Sequence, residues 1–313
     1  MNQIYNIGLV GALATISEAH LNAIEFNSRF KLKGVCDLNK SKLEEKFLKE
    51  DDVFITTNFD ELVEYEHIDA IIVCTPHHIH APISIVALNN GKHVLCEKPM
   101  TIGFINAEKL HAESIKSDAV FVVSYHFEYF PEVIHFRNML SEFGEIVQFK
   151  FKSSEYLYPG SGWNHTKGTG GVWLDWAPNA LSVLRKVISK DSHFDDFEIK
   201  NAKLGGNLGY EIDTSVNVGL SLNKIEGVLE IDWEAKEGEL IAHTLLWNLK
   251  GDEIKLDHAA NCIYLNNEKI WTGKDSRYRL VYDDFARRID VKQSNILDGV
   301  FESRLIETVA HFE

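Results

Sequence analysis

The sequence predicts an α/β domain built as a doubly wound parallel sheet, followed by an α+β domain with a large, mostly antiparallel open sheet. Three observations carry this reading. From residue 4 to about 124, short β-branched apolar runs alternate with segments of helical period, the pattern of strand and crossover helix. Beyond Pro131 the alternation gives way to successive strand-like segments with few helices between them. A glycine-bearing turn, Gly8 to Gly11, stands between the first strand and the first helix, where parallel α/β sheets bind phosphate-bearing ligands.

Taken in order, the first domain (1–125) has strands at 4–10, 30–36, 53–56, 70–75, 93–96 and 120–124. Helices fall at 17–27, 40–48, 79–89 and 103–117, with Asn39 as an N-cap and Gly91 just past a helix end. Right-handed crossovers then place helices on both faces. The second domain (126–313) opens with a helix at 131–141 and a strand at 146–151. A glycine-rich stretch, 160–171, leads into a helix at 179–188. Strands at 216–222, 227–233, 241–249 and 262–265 and helices at 277–289 and 302–312 complete it.

The chain of 313 residues is 45% apolar and 25% charged, enough to bury two cores. Its formal charge of −15 argues against a nucleic-acid partner, which needs a concentrated positive surface. Cys36, Cys74, Cys96 and Cys262 lie far apart, most within apolar runs, and suggest neither a disulfide framework nor a zinc ribbon. No apolar run approaches a membrane span, and the N-terminus lacks the basic and apolar regions of a leader. The expectation is a cytoplasmic protein acting on a small molecule, away from membranes.

Residues Gly8, Gly11, Ala12, Leu13 and Ala14 occupy the place of a dinucleotide fingerprint. Only Gly11 of the three glycines is kept, with Leu13 and Ile16 in the other two positions. Leu13 therefore requires either a more distant cofactor or an altered turn. Asp37 ends the second strand about twenty residues on, where a carboxylate accepts hydrogen bonds from the adenosine ribose and repels a 2′-phosphate. This favours NAD, with NADP possible if Lys40 or Lys42 offsets the repulsion.

The run Thr75-Pro76-His77-His78-Ile79-His80, followed by Glu97-Lys98-Pro99 after an apolar strand, resembles the glucose-fructose oxidoreductase/inositol dehydrogenase family. The resemblance implies a Rossmann domain, a nicotinamide cofactor and catalysis by Lys98 beside the nicotinamide and the substrate hydroxyl. An ammonium in a cleft can stabilise a developing alkoxide or shuttle its proton. The same resemblance puts Thr75, Pro76, His77, His80 and Glu97 at the cofactor and His126 against both cofactor and substrate. His77, His78 and His80 do not make a convincing metal set, because metal-binding histidines converge with further ligands.

In the second domain, Asp175 precedes Asn179 by four residues, where the family commonly has Asp then His. Asparagine cannot serve as a base, so it orients, and the proton leaves through Asp175, Lys98 or water. This spacing, with Tyr158-Pro159-Gly160-Ser161-Gly162-Trp163 upstream, resembles the branch oxidising D-galactose or L-arabinose at the anomeric carbon. Glu155, Trp163, His165 and Trp176 are candidate sugar contacts, with core packing or loop surface as their alternative. A cyclitol or keto-sugar dehydrogenase and a non-catalytic dinucleotide-sensing regulator remain open alternatives. The resemblance also implies a homodimer or homotetramer.

Overall fold

We describe the protein from a computed structural model, over residues 3–48, 52–157, 166–168, 170–189, 191–206 and 211–312. The chain divides into two compact units, residues 1–124 with 278–303 and residues 125–277 with 304–313.

The first unit holds six parallel strands: β1 (Tyr5–Val10), β2 (Phe30–Cys36), β3 (Phe54–Thr56), β4 (Ala70–Val73), β5 (His93–Glu97) and β6 (Phe121–Ser124), in the order β3-β2-β1-β4-β5-β6. Ile71, Ile72 and Val73 are wholly buried, as expected of a central strand covered on both faces. The order reverses between β1 and β4, and open parallel sheets bind ligands outside the carboxyl ends of the strands at such a reversal. Helices α1 (Ser17–Phe26), α2 (Lys40–Lys46), α3 (Phe59–Glu64), α4 (His80–Asn89) and α5 (Phe104–Ser114) connect the strands. Asn39 caps α2 by accepting the Lys42 N–H at 3.0 Å, and Gly91 follows α4 at φ +69°.

Helix α3 is absent from the sequence reading, because six residues show too little periodicity. Its signals are Asn58, which accepts the Asp60 N–H at 3.0 Å, and the acids Asp60 and Glu61 in the first turn. A larger departure from the linear division at 125/126 is the return of residues 278–303 to the first unit. There Tyr282 and Phe285 are fully buried, with Phe285 stacked on Phe30 at 5.6 Å. Helix α8 (Arg277–Val291) thus completes a core whose strands all lie in the first part of the chain.

The second unit contains helices α6 (Pro131–Phe143) and α7 (Val172–Ile188) and eight strands. These are β7 (Ile146–Glu155), β8 (Phe197–Gly205), β9 (Ser215–Leu222), β10 (Ile225–Asp232), β11 (Leu240–Asn248), β12 (Glu253–Asp257), β13 (Cys262–Leu265) and β14 (Glu268–Thr272). They form one sheet in the order β14-β13-β12-β11-β7-β10-β9-β8, antiparallel apart from the β7/β10 pair. Phe149 and Phe151 of β7 point to the buried face, while Lys150 and Lys152 alternate to the other. The sequence reading omits β8, β12 and β14. Both β8 and β14 are largely exposed edge strands, and β12 alternates charge with Ile254 and Leu256, so apolar pattern alone marks them poorly.

Helix α7 begins seven residues before the expected position 179, since Pro178 reads as a breaker yet lies inside the helix. Helix α9 (Ile296–Ala310) starts six residues before the expected 302 and runs from the first unit's residues into those of the second. No described helix is long and apolar enough to cross a membrane.

Candidate active site

The first unit's site starts from the turn after β1. Gly11 has φ +83°, and a Cβ built on it would lie 2.5 Å from the Cys74 carbonyl oxygen, so backbone fills the place of a side chain. Its N–H and that of Ala12 donate to the Cys36 carbonyl at 2.9 and 3.2 Å, tying the turn to β2. Leu13 is accommodated by an altered turn: its N–H donates to Asp37 Oδ2 at 2.9 Å, while Asp37 Oδ1 accepts the Leu38 N–H at 2.7 Å. Asp37 therefore shapes the loop, with each oxygen retaining a lone pair for a ligand hydroxyl.

A cavity of about 370 Å³ opens here, lined by Gly11, Leu13, Ala14, Asp37, Thr75 and Pro76 among the expected residues, and by Leu38, Thr57 and Phe59 among others. The Thr75 hydroxyl is buried without a hydrogen-bond partner. Phe59 comes from α3, so its place in the cavity could not be read before that helix was known. Gly8 has a different role: it lies within β1, where a Cβ would meet Ile71 Cδ1 at 2.9 Å. Ala12 is wholly buried behind the turn.

Lys98 is half-buried at the carboxyl end of β5, in a cis peptide with Pro99. His80 joins its loop to the cavity wall, for the ring nitrogens lie 2.7 Å from the Thr75 carbonyl oxygen and 2.8 Å from that of Pro99. With no exposed surface and its ring set between two carbonyl oxygens, to one of which a neutral imidazole donates, His80 braces the site rather than facing a cofactor. Burial pushes its pKa below the usual histidine value, against the opposite pull of the two carbonyls.

Glu97 also turns inward. It is 5% exposed, and its Oε1 lies 2.9 Å from His20 Nε2, while His20 Nδ1 is 3.0 Å from the Tyr282 hydroxyl. The Tyr278 hydroxyl donates to the same Glu97 oxygen at 3.5 Å. This network anchors the segment carrying Lys98 to α1 and α8. Sequence reasoning missed His20 and Tyr282 because His20 lies 77 residues from Glu97 and Tyr282 lies 262 residues from His20, with no local motif to mark them.

His77 is buried, and desolvation, then the nearby His80 and Lys98 charges, push its pKa down to about 2. The folded protein thus keeps His77 neutral while the unfolded chain takes up a proton below about pH 6.5. Stability due to this group is complete above pH 6.5 and is lost as pH falls toward 2. The slope is roughly 1.4 kcal/mol per pH unit. Denaturant unfolding between pH 6 and 4 should show this slope reduced in His77→Gln, and an identical slope would refute the assignment.

The second unit is described by itself. Asp175 and Asn179 lie one turn apart on α7, Asp175 half-buried in the first turn and Asn179 buried. The helix entrance is fixed by Asp213, forty residues away from the amide it caps. Its carboxylate accepts the Trp173 N–H at 2.7 Å and its carbonyl the Val172 N–H at 2.9 Å. Burial holds the Asp213 carboxyl above its usual range. Glu155 accepts the Trp176 Nε1–H at 3.2 Å, and Phe127, next to the buried His126, packs edge-on against Trp176 at 5.6 Å. A buried ion pair between Glu128 and Arg185 ties the same segment to α7. Trp163 and His165, with the segment 158–162, lie outside the described residues.

Residues 5–125 match the model of the oxidoreductase family with an NAD-binding Rossmann fold. Among curated relatives, glucose-6-phosphate 3-dehydrogenase of Bacillus subtilis is 32% identical over 48% of this chain and 43% of its own. The NADP-linked D-xylose 1-dehydrogenase of Hypocrea jecorina is 33% identical over 38% of this chain and 31% of its own. The matched segments thus span about half or less of these relatives' lengths. Among solved structures, levoglucosan dehydrogenase in complex with NADH superposes with a TM-score of 0.86 at 17% identity, covering 98% of this chain and 96% of that one. The 3-ketoreductase KijD10 of Actinomadura kijaniata, as a mutant in complex with TDP-benzene and NADP, gives 0.86 at 19%, covering 99% and 97%. At these identities the likeness establishes the fold, a Rossmann domain joined to a mostly antiparallel α+β domain.

Proposed function

We propose that this chain is a member of the glucose-fructose oxidoreductase/inositol dehydrogenase family, whose NAD-binding Rossmann model matches residues 5–125, and that it oxidises a sugar, an aldose at its anomeric carbon, to the lactone. The observation that carries this reading is the bridge made by His80, which holds the Lys98–Pro99 segment against the Thr75 wall of the Asp37 cavity.

The first unit's residues fit a nicotinamide dinucleotide. Gly11 leaves a cradle that a Cβ would fill, Asp37 offers carboxylate lone pairs, and the orphaned Thr75 hydroxyl is buried in a residue of the cavity wall. Among the described residues the Thr15 and Ile16 N–H groups, ahead of α1, meet no protein acceptor and suit a pyrophosphate. When bound, the cofactor supplies the hydride acceptor. Lys98 takes the role of polarising the substrate hydroxyl, and of relaying its proton by giving up one of its own to Asp175 or water as it takes up the substrate's, while the carbon–hydrogen bond gives up its electron pair. Asp175 is assigned to proton removal, and Asn179, His126 and Glu155 to orienting sugar hydroxyls. An anomeric hydroxyl is more acidic than an ordinary alcohol, which suits a site with Asn179 in place of a stronger base.

We assign NAD over NADP because the Asp37 carboxylate would lie against a 2′-phosphate. The preference expected is about tenfold or more, equivalent to ~1.4 kcal/mol. The test is NADH formation across a panel of aldoses, cyclitols and sugar alcohols, with product analysis. A lactone supports the reading, a ketone moves the activity to the cyclitol or keto-sugar class, and NAD binding without turnover favours a dinucleotide-sensing role. The proposed assembly is a homodimer or homotetramer.

A further inference from the structure

The loop of residues 11–17 lacks two of the three glycines that usually shape a dinucleotide turn, yet it is held by side chains from three directions. Asp37 grips the Leu13 N–H, as described. Ser17, buried at the start of α1, donates its hydroxyl within reach of two loop carbonyls, Ala12 at 2.9 Å and Ala14 at 2.6 Å. Lys46, in the last turn of α2, reaches across to the same Ala12 carbonyl with Nζ at 2.8 Å. Its ammonium is also 2.6 Å from Glu18 Oε1 and 3.5 Å from Ser17 Oγ, and its side chain is only 24% exposed. An ammonium has three donors, and these three acceptors occupy them all.

We propose that Lys46 is a positioning residue of the dinucleotide site, whose hold on the Ala12 carbonyl fixes the loop that a glycine fingerprint would otherwise shape. The inference rests on the assignment of this cavity to NAD. Ala12 lies between Gly11, whose backbone leaves no freedom, and Leu13, whose N–H is spent on Asp37. Fixing the Ala12 carbonyl therefore fixes the direction in which the chain enters residues 13–16, including the unpaired Thr15 and Ile16 N–H groups. The pairing with Glu18 offsets the lysine's charge locally, so the effect is geometric more than a long-range attraction for phosphate.

The test uses the full chain and direct calorimetric titration with NAD, so that no substrate is needed. Lys46→Met should weaken NAD binding about tenfold, and Lys46→Arg, which keeps charged donors, should recover most of it. Glu18→Gln should leave affinity within about twofold, since the carbonyl grip survives. A marked gain at low salt would instead assign the effect to charge and overturn the geometric proposal. Hydrogen exchange of the ligand-free protein gives a second reading, with faster exchange at the amides of residues 12–17 expected in Lys46→Met. Because Lys46 lies at the surface edge of α2, that variant should retain the parent's cooperative unfolding. Unchanged NAD affinity in Lys46→Met overturns the proposal while sparing the cofactor assignment. Failure of the parent protein to bind NAD overturns both.

Discussion

Lys98→Met is expected to lower turnover by about 10²–10⁴-fold, the range of a lost acid–base group, with NAD affinity nearly unchanged. Three neighbouring groups of the first unit are poorly placed for proton transfer. His77 is held neutral with its pKa pushed down to about 2, so it cannot pick up a proton near neutrality. His80 is wholly buried between the Thr75 and Pro99 carbonyls, and Glu97 is committed to His20. Lys98 is the half-buried cation on this edge, set between a braced Glu97 and a braced Pro99. Lys98→Arg separates its two roles. Arginine keeps a positive charge for the developing alkoxide yet cannot give up its proton near neutrality, so partial rescue would mark electrostatic stabilisation and no rescue would mark proton transfer. Single-turnover kinetics with NAD in excess distinguish these outcomes from a binding defect. Activity of Lys98→Met within about threefold of the parent would remove Lys98 from the chemistry.

The parallel sheet was legible because its strands are buried on both faces, so runs such as Ala70 to Val73 carry continuous apolar character. The position of Lys98 was legible as well, since Glu97-Lys98-Pro99 follows such a strand directly. What the sequence could not show is which way a side chain turns once it reaches a loop. His80 and Glu97 sit in the motifs expected at a cofactor, yet one is consumed by two carbonyls and the other by His20. Both support Lys98 from behind. Two further contacts, Lys46 on the Ala12 carbonyl in the first unit and Asp213 at the entrance of α7 in the second, act across 34 and 40 residues through single hydrogen bonds and leave no periodic trace. Pro178 misled in the opposite direction: a residue that usually stops a helix lies within α7, and the segment bearing Asp175 is helical before it.

Gly11→Ala should be the most damaging small substitution in the first unit. The residue has φ +83°, which by itself costs a non-glycine residue about 1–3 kcal/mol. A second penalty comes from contact, for the added methyl would lie 2.5 Å from the Cys74 carbonyl oxygen and 2.7 Å from its carbon. Both belong to the backbone just past β4, so relief requires parting the turn from that strand, which also displaces the neighbouring Thr75 wall of the cavity. Gly103 isolates the first penalty, since its φ is +81° and nothing lies within 4 Å of a Cβ built there. Gly103→Ala should therefore lower the melting temperature by only a few degrees, at about 2–4 °C per kcal/mol for a unit of this size, and leave NAD affinity intact. Gly11→Ala should melt lower than Gly103→Ala and lose NAD affinity by about 100-fold, equivalent to ~2.7 kcal/mol. Equal melting temperatures and equal NAD affinities for the two variants would show that the close approach of β1 and β4 at Gly11 does not shape the cofactor cavity.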